Sequence, residues 1–171
     1  METRFRMVTV VAAATCLSLP AAAQMKHAPQ TSKGFQQIVA LAGNWEGQTP
    51  DGKAVGLSYQ VVSNGTAVLE RLSMQGEGEM VTLYTSDGQR VAVTHYCSSG
   101  NQPQMSTGPT TGDAKELSFD FVRATNLASP EDGHMHHLTL TLEDKAHIGQ
   151  AWTWMDHGKA HVATFKFTRK A

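Results

Sequence analysis

Imidazole and thiol groups recur in this chain at alternate positions of apolar segments. In "RVAVTHYC", residues 90–97, Val91, Val93, His95 and Cys97 share one side of an extended chain, because successive side chains of a strand point to opposite faces. In "HMHHLTLTL", residues 134–142, His134 and His136 lie with Leu138, Leu140 and Leu142, which leaves His137 on the other face. "HIGQAWTWMD" lines up Ile148, Gln150, Trp152 and Trp154, and "AHVATFKF" lines up His161, Ala163, Phe165 and Phe167. Three strands are therefore expected to turn a histidine inward, at His95, His136 and His161.

The chemistry open to such groups is limited. Neutral imidazoles with a thiolate suit zinc or copper, with His95, Cys97, His136 and His161 as donors; a single axial imidazole under a large apolar pocket suits haem. "HMHH" is not itself a ligand motif, since ligands at i and i+2 need partners from other strands. A Cys–His catalytic couple requires hydrogen-bond reach, whereas His95 and Cys97 stand roughly 6–7 Å apart by strand rise. No phosphate loop, nucleophile elbow or HExxH pattern is present, so nothing in the sequence assigns a reaction. Glu70 in "TAVLERL" faces inward if Val68 and Leu72 do, and outward if Ala67 and Leu69 do; the pattern leaves both parities open. Met74, Met80 and Met105 fall near one end of their strands, where methionine either softens a binding mouth or fills gaps in a core.

The elements that position these residues are set by turns. Asp51-Gly52, Asn64-Gly65, Asp87-Gly88 and His157-Gly158 each separate two alternating runs, as tight hairpins require. Strands are expected near residues 43–49, 54–62, 66–74, 78–85, 89–97, 103–107, 115–122, 134–142, 147–156 and 160–169, and one short helix in "GFQQIVALAG", closed by Gly43. Two Gly-, Pro- and Ser-rich stretches read as loops. About ten strands in sequence order with no βαβ unit imply an all-β, up-and-down antiparallel barrel with a short N-terminal helix; a two-sheet sandwich is the competing architecture. With strands alternating in direction, His95, Cys97, His134, His136, Trp152, Trp154 and His161 gather at one mouth and Trp45 falls at the opposite end.

The segments "LAGNWEG", "VVSNGTAVLER", "THYCSSGNQPQM" and "FKFTRK" together resemble a secreted bacterial family of lipocalin-like, calycin-type proteins of unknown function. The resemblance spans most of residues 35–169. It implies an eight- to ten-stranded barrel that often binds a small apolar molecule, with Trp45 as a structural plug at the closed end. It supplies no reaction and no catalytic residue.

The ends and the composition bound the rest. Arg4 and Arg6, an apolar run from Met7 to Leu19 and Ala21-Ala22-Ala23 follow the order of a secretory signal over residues 1–23, too short for a membrane span. Residues 24–34 read as a tether and 35–171 as one barrel domain, exported to the periplasm or beyond. Removing the leader leaves twelve basic against fourteen acidic side chains, a formal charge of −2 with no basic block and no case for nucleic acid. It also leaves Cys97 as the sole thiol, so no internal disulfide supports the fold. The expected function is noncatalytic binding of a small hydrophobic or amphipathic molecule in the barrel interior, with His95, Cys97, His136, His161, Trp152, Trp154, Tyr59, Phe119 and Phe121 around it. A metal or haem barrel and an enzyme of unknown reaction are the alternatives, and the oligomeric state is not fixed.

Overall fold

A computed structural model describes residues 31–49 and 51–171. The leader and the first part of the tether lie outside the described residues. Ten antiparallel strands follow one another around a closed barrel: β1 (Gly43–Gln48), β2 (Ala54–Val62), β3 (Ala67–Met74), β4 (Met80–Asp87), β5 (Arg90–Tyr96), β6 (Gln102–Ser106), β7 (Glu116–Thr125), β8 (His134–Leu142), β9 (His147–Asp156) and β10 (Lys159–Arg169). Each strand pairs with its sequence neighbours, and β1 pairs with β10 to close the ring. The sandwich alternative is thereby excluded.

Alternation builds the interior. Val55, Leu57 and Tyr59 of β2, Val91 and Val93 of β5, and Leu117 and Phe119 of β7 are buried, with exposed or half-exposed residues between them. Turn chemistry sets the register: His157 and Gly158 both take positive φ, 46° and 73°, between paired Asp156 and Lys159. That is the primed geometry matching the right-handed strand twist.

One helix, α1 (Lys33–Val39), closes the end of the barrel where β1 begins. Ser32 caps it by accepting the Phe35 N–H at 3.2 Å, and the helix buries Phe35 and Ile38. The helix thus begins inside the stretch read as a tether and stops before Gly43, which instead opens β1 with φ 130°. Trp45 is 1 % exposed and donates its indole N–H to the Leu41 carbonyl at 2.9 Å. Arg169 lies over the Trp45 ring at 4.2 Å and donates to the Ala42 and Ala40 carbonyls, tying the last strand to the helix exit.

The closing ladder is tight at Gly47. A Cβ there would run into the Lys166 carbonyl oxygen and stand 2.8 Å from the Phe167 ring, whereas a Cβ on Gly56 of the neighbouring strand meets nothing within 4 Å. Gly47→Ala is therefore expected to cost about 2 kcal/mol or more, and Gly56→Ala under about 1. Chemical denaturation of both variants checks this; equal losses would contradict close packing at the seam.

Candidate functional site

The mouth opposite α1 holds a cavity of about 590 Å³. Trp152 and Phe165 belong both to the buried core and to its lining, Met74, Met80, Cys97, Met135 and Trp154 stand around them, and Asp51, Lys53, Glu77 and Ser98 lie along its edge. A register shift in β8 builds one wall. Met135 pairs with Trp154 and His137 with Thr153, so His136 is an extra residue with no partner on β9. Such a bulge re-aims side chains, and here Met135, not His136, lines the cavity. Gly133 accommodates Trp154, whose ring occupies the position a Cβ would take.

Below Trp152 the interior is polar. Tyr59, Glu70, Thr82 and His95 are direct cross-strand partners on β2, β3, β4 and β5, forming one buried row. Tyr84 donates its hydroxyl to Glu70 Oε2 at 2.8 Å, and Gln150 donates its amide to Glu70 Oε2 and to the Tyr59 oxygen, both at 2.8 Å. Trp152 donates to Gln150 Oε1 at 2.9 Å, linking the cavity floor to the row. Thr82 Oγ1 hydrogen-bonds His95 Nδ1 at 2.9 Å, and the imidazole packs on Trp152 with centroids 4.6 Å apart. Glu70 Oε1 and His95 Nε2 are buried without a hydrogen-bond partner.

Burial dominates the electrostatics. It pushes the Glu70 carboxyl above its ordinary range, against the donors Tyr59, Tyr84 and Gln150. It pushes Tyr59 and Tyr84 well up, and the Glu70 charge adds to both. It pulls His95 down from 6.5 to about 4, so this imidazole is neutral at physiological pH.

The structure therefore separates residues expected together. Cys97, Trp152 and Trp154 line the mouth cavity as expected. His95 is inward but lies beneath the cavity floor, against Thr82 and Trp152. Tyr59 and Phe119 are not cavity walls: each packs on Tyr84, at 6.3 Å and 5.9 Å between centroids, and the interior there is filled. Phe121 stacks on His136 at 4.6 Å and packs at a tilt against His134 at 4.7 Å, away from the cavity lining. His161 has inward parity opposite Trp154 but is exposed, near the tip of the β9–β10 hairpin. Met105 is core rather than rim. His95, Cys97, His136 and His161 thus form no common ligand set; among the described residues no group of three or more His, Cys, Asp or Glu side chains is arranged to hold a metal ion. The residue that sequence reasoning left open, Glu70, sits at the centre of the polar row. Its signal was a cross-strand one: Tyr59, Glu70, Thr82 and His95 align only once hairpin registers are counted from the turns.

No family model and no curated protein matches the chain. Among solved structures, it is similar to a protein of unknown function from the DUF3598 family of Nostoc punctiforme, with TM-score 0.53 and 15 % identity over 79 % of this chain and 49 % of that one. The chain thus spans about half the length of that protein. It is also similar to Rv2717c from M. tuberculosis, with TM-score 0.56 and 10 % identity over 82 % of this chain and 99 % of that one. At these identities the likeness is one of fold.

The depressed His95 pKa makes stability pH-dependent. In the unfolded chain His95 takes a proton near 6.5, but in the barrel it resists until about 4, so stability falls as pH drops through that window. The loss is on the order of 3 kcal/mol, and His95→Gln should flatten it in urea unfolding between pH 7 and 4.5. Glu70 acts with the opposite sign: its contribution is full below its ordinary range and declines as pH rises through its elevated folded value. Glu70→Gln should therefore flatten the loss that sets in as pH rises above the ordinary carboxylate range. Unchanged pH slopes in both variants would contradict the buried row.

Proposed function

We propose that this chain is an exported, noncatalytic binding protein that holds a small amphipathic molecule at the mouth of the barrel rather than deep inside it. The observation that carries this reading is the cavity of about 590 Å³ above Trp152, within the size range of small-molecule sites. Its aromatic and thioether surfaces suit an apolar body, and Asp51, Lys53, Glu77 and Ser98 at the edge suit a polar head that stays near water. The filled interior supports the mouth over a deeper site, because Tyr59, Tyr84 and Phe119 already occupy the core below it.

A second concavity of about 790 Å³ lies along β1, β2 and β10, where Gly47 and Gly56 are flanked by Glu46, Gln48, Lys166 and Lys170. It is larger but lacks the apolar enclosure that drives small-ligand binding, so the mouth is the better candidate. Export is supported by the leader pattern of residues 1–23, and a bacterial periplasmic setting by the family resemblance.

Binding of the fluorescent amphiphile 1-anilinonaphthalene-8-sulfonate tests the site. Met135→Glu puts an unpaired charge into the cavity wall and is expected to weaken binding by about tenfold or more. Val122→Glu, at an exposed position outside the cavity lining, is expected to leave it within about twofold. Equal effects of the two substitutions, or none, would overturn the mouth as the binding site.

A further inference from the structure

The bulge that turns Met135 to the mouth also sets two imidazoles against one another. His134 Nε2 and His136 Nδ1 are 3.1 Å apart, although the residues are two apart in sequence. His134 Nδ1 lies 2.7 Å from the Asp132 carbonyl oxygen, which can only accept, so Nδ1 carries a hydrogen and Nε2 is the nitrogen turned toward His136. Phe121 packs on both rings and fixes their planes. His134 is buried and His136 half-buried, so the pair is held from behind and reachable from one side.

We infer that His134 and His136 form a two-imidazole seat for a divalent late transition metal ion, separate from the mouth cavity. Two imidazole nitrogens each about 2.0–2.1 Å from one ion and 3.1 Å from each other subtend roughly 100° at it, between the octahedral and tetrahedral angles. The ion would displace the hydrogen between the two nitrogens: His136 carries its hydrogen on Nε2 instead and offers Nδ1, and the two rings turn so that both lone pairs meet at the ion, off the line joining the nitrogens. The Asp132 carbonyl supplies the outer hydrogen bond that ligating histidines usually make, which fixes the tautomer before the ion arrives. With two protein ligands the remaining positions go to water or to a donor from another molecule. Imidazole donors favour Cu²⁺ over Zn²⁺ and Ni²⁺ in affinity.

The test uses the untagged chain and Zn²⁺ alone, followed by calorimetry in a non-coordinating buffer. One ion per chain is expected, with His136→Gln and His134→Gln each weakening it by about tenfold or more. His137→Gln and His161→Gln, at histidines outside the pair, should stay within about threefold. His136→Gln decides the matter if loss of the buried His134 disturbs folding. With Cu²⁺, electron paramagnetic resonance of the wild type should show coupling to two imidazole nitrogens, reduced in His136→Gln. Zn²⁺ affinity unchanged in His136→Gln, or no Zn²⁺ binding up to about 1 mM, would overturn the site.

Discussion

Closure of the sheet by β1 and β10 is the constraint on which every other feature rests. Pairing from Trp45–Arg169 to Gln48–Lys166 leaves no free edge and creates an inside. The seam is secured at two points. Gly47 allows the backbones and Phe167 to pack without an intervening side chain, and Arg169 binds the Ala40 and Ala42 carbonyls over the Trp45 ring. Once closed, each strand sends alternate residues to the axis, and α1 with Trp45 stops one end. The opposite end carries the mouth cavity.

Inside, a polar row crosses the packed core, from Tyr59 opposite Gly43 at the α1 end, through Glu70 and Thr82, to His95 near the mouth end of β5; Trp152 packs on His95 and lines the mouth cavity. A buried carboxyl is expensive unless bonded, and three neutral donors converge on Glu70 from three strands. Partial satisfaction remains, at Glu70 Oε1 and His95 Nε2. Replacing the row with hydrocarbon would remove that cost, whereas with the row in place a one-residue slip would send all its polar groups to the wrong face.

Much of this was legible in the sequence because its causes are local. The ten strands and their order follow from glycine-bearing turns and two-residue alternation, and the direction rule places Cys97, Trp152 and Trp154 at one mouth and Trp45 at the other end. Three features were not legible. Glu70 was ambiguous because Val68 and Leu72 on one face and Ala67 and Leu69 on the other are comparably apolar, and only its cross-strand partners decide. The bulge at His136 leaves no mark in "HMHH", yet it exchanges Met135 for His136 at the cavity wall. His161 kept its parity but not its burial, because the β9–β10 hairpin carries it where nothing packs on it. Periodicity reports direction; depth along the barrel depends on partners far away in sequence.

With the interior filled below Trp152, a ligand is expected to meet the mouth while the core beneath it stays closed. Methyl NMR of protein labelled at its methionines examines both levels at once, since Met74, Met80 and Met135 line the cavity and Met105 is buried in the core. On adding 1-anilinonaphthalene-8-sulfonate, the three mouth methionines are expected to shift and Met105 to stay unmoved. Shifts centred on Met105, with the mouth methyls unchanged, would contradict it.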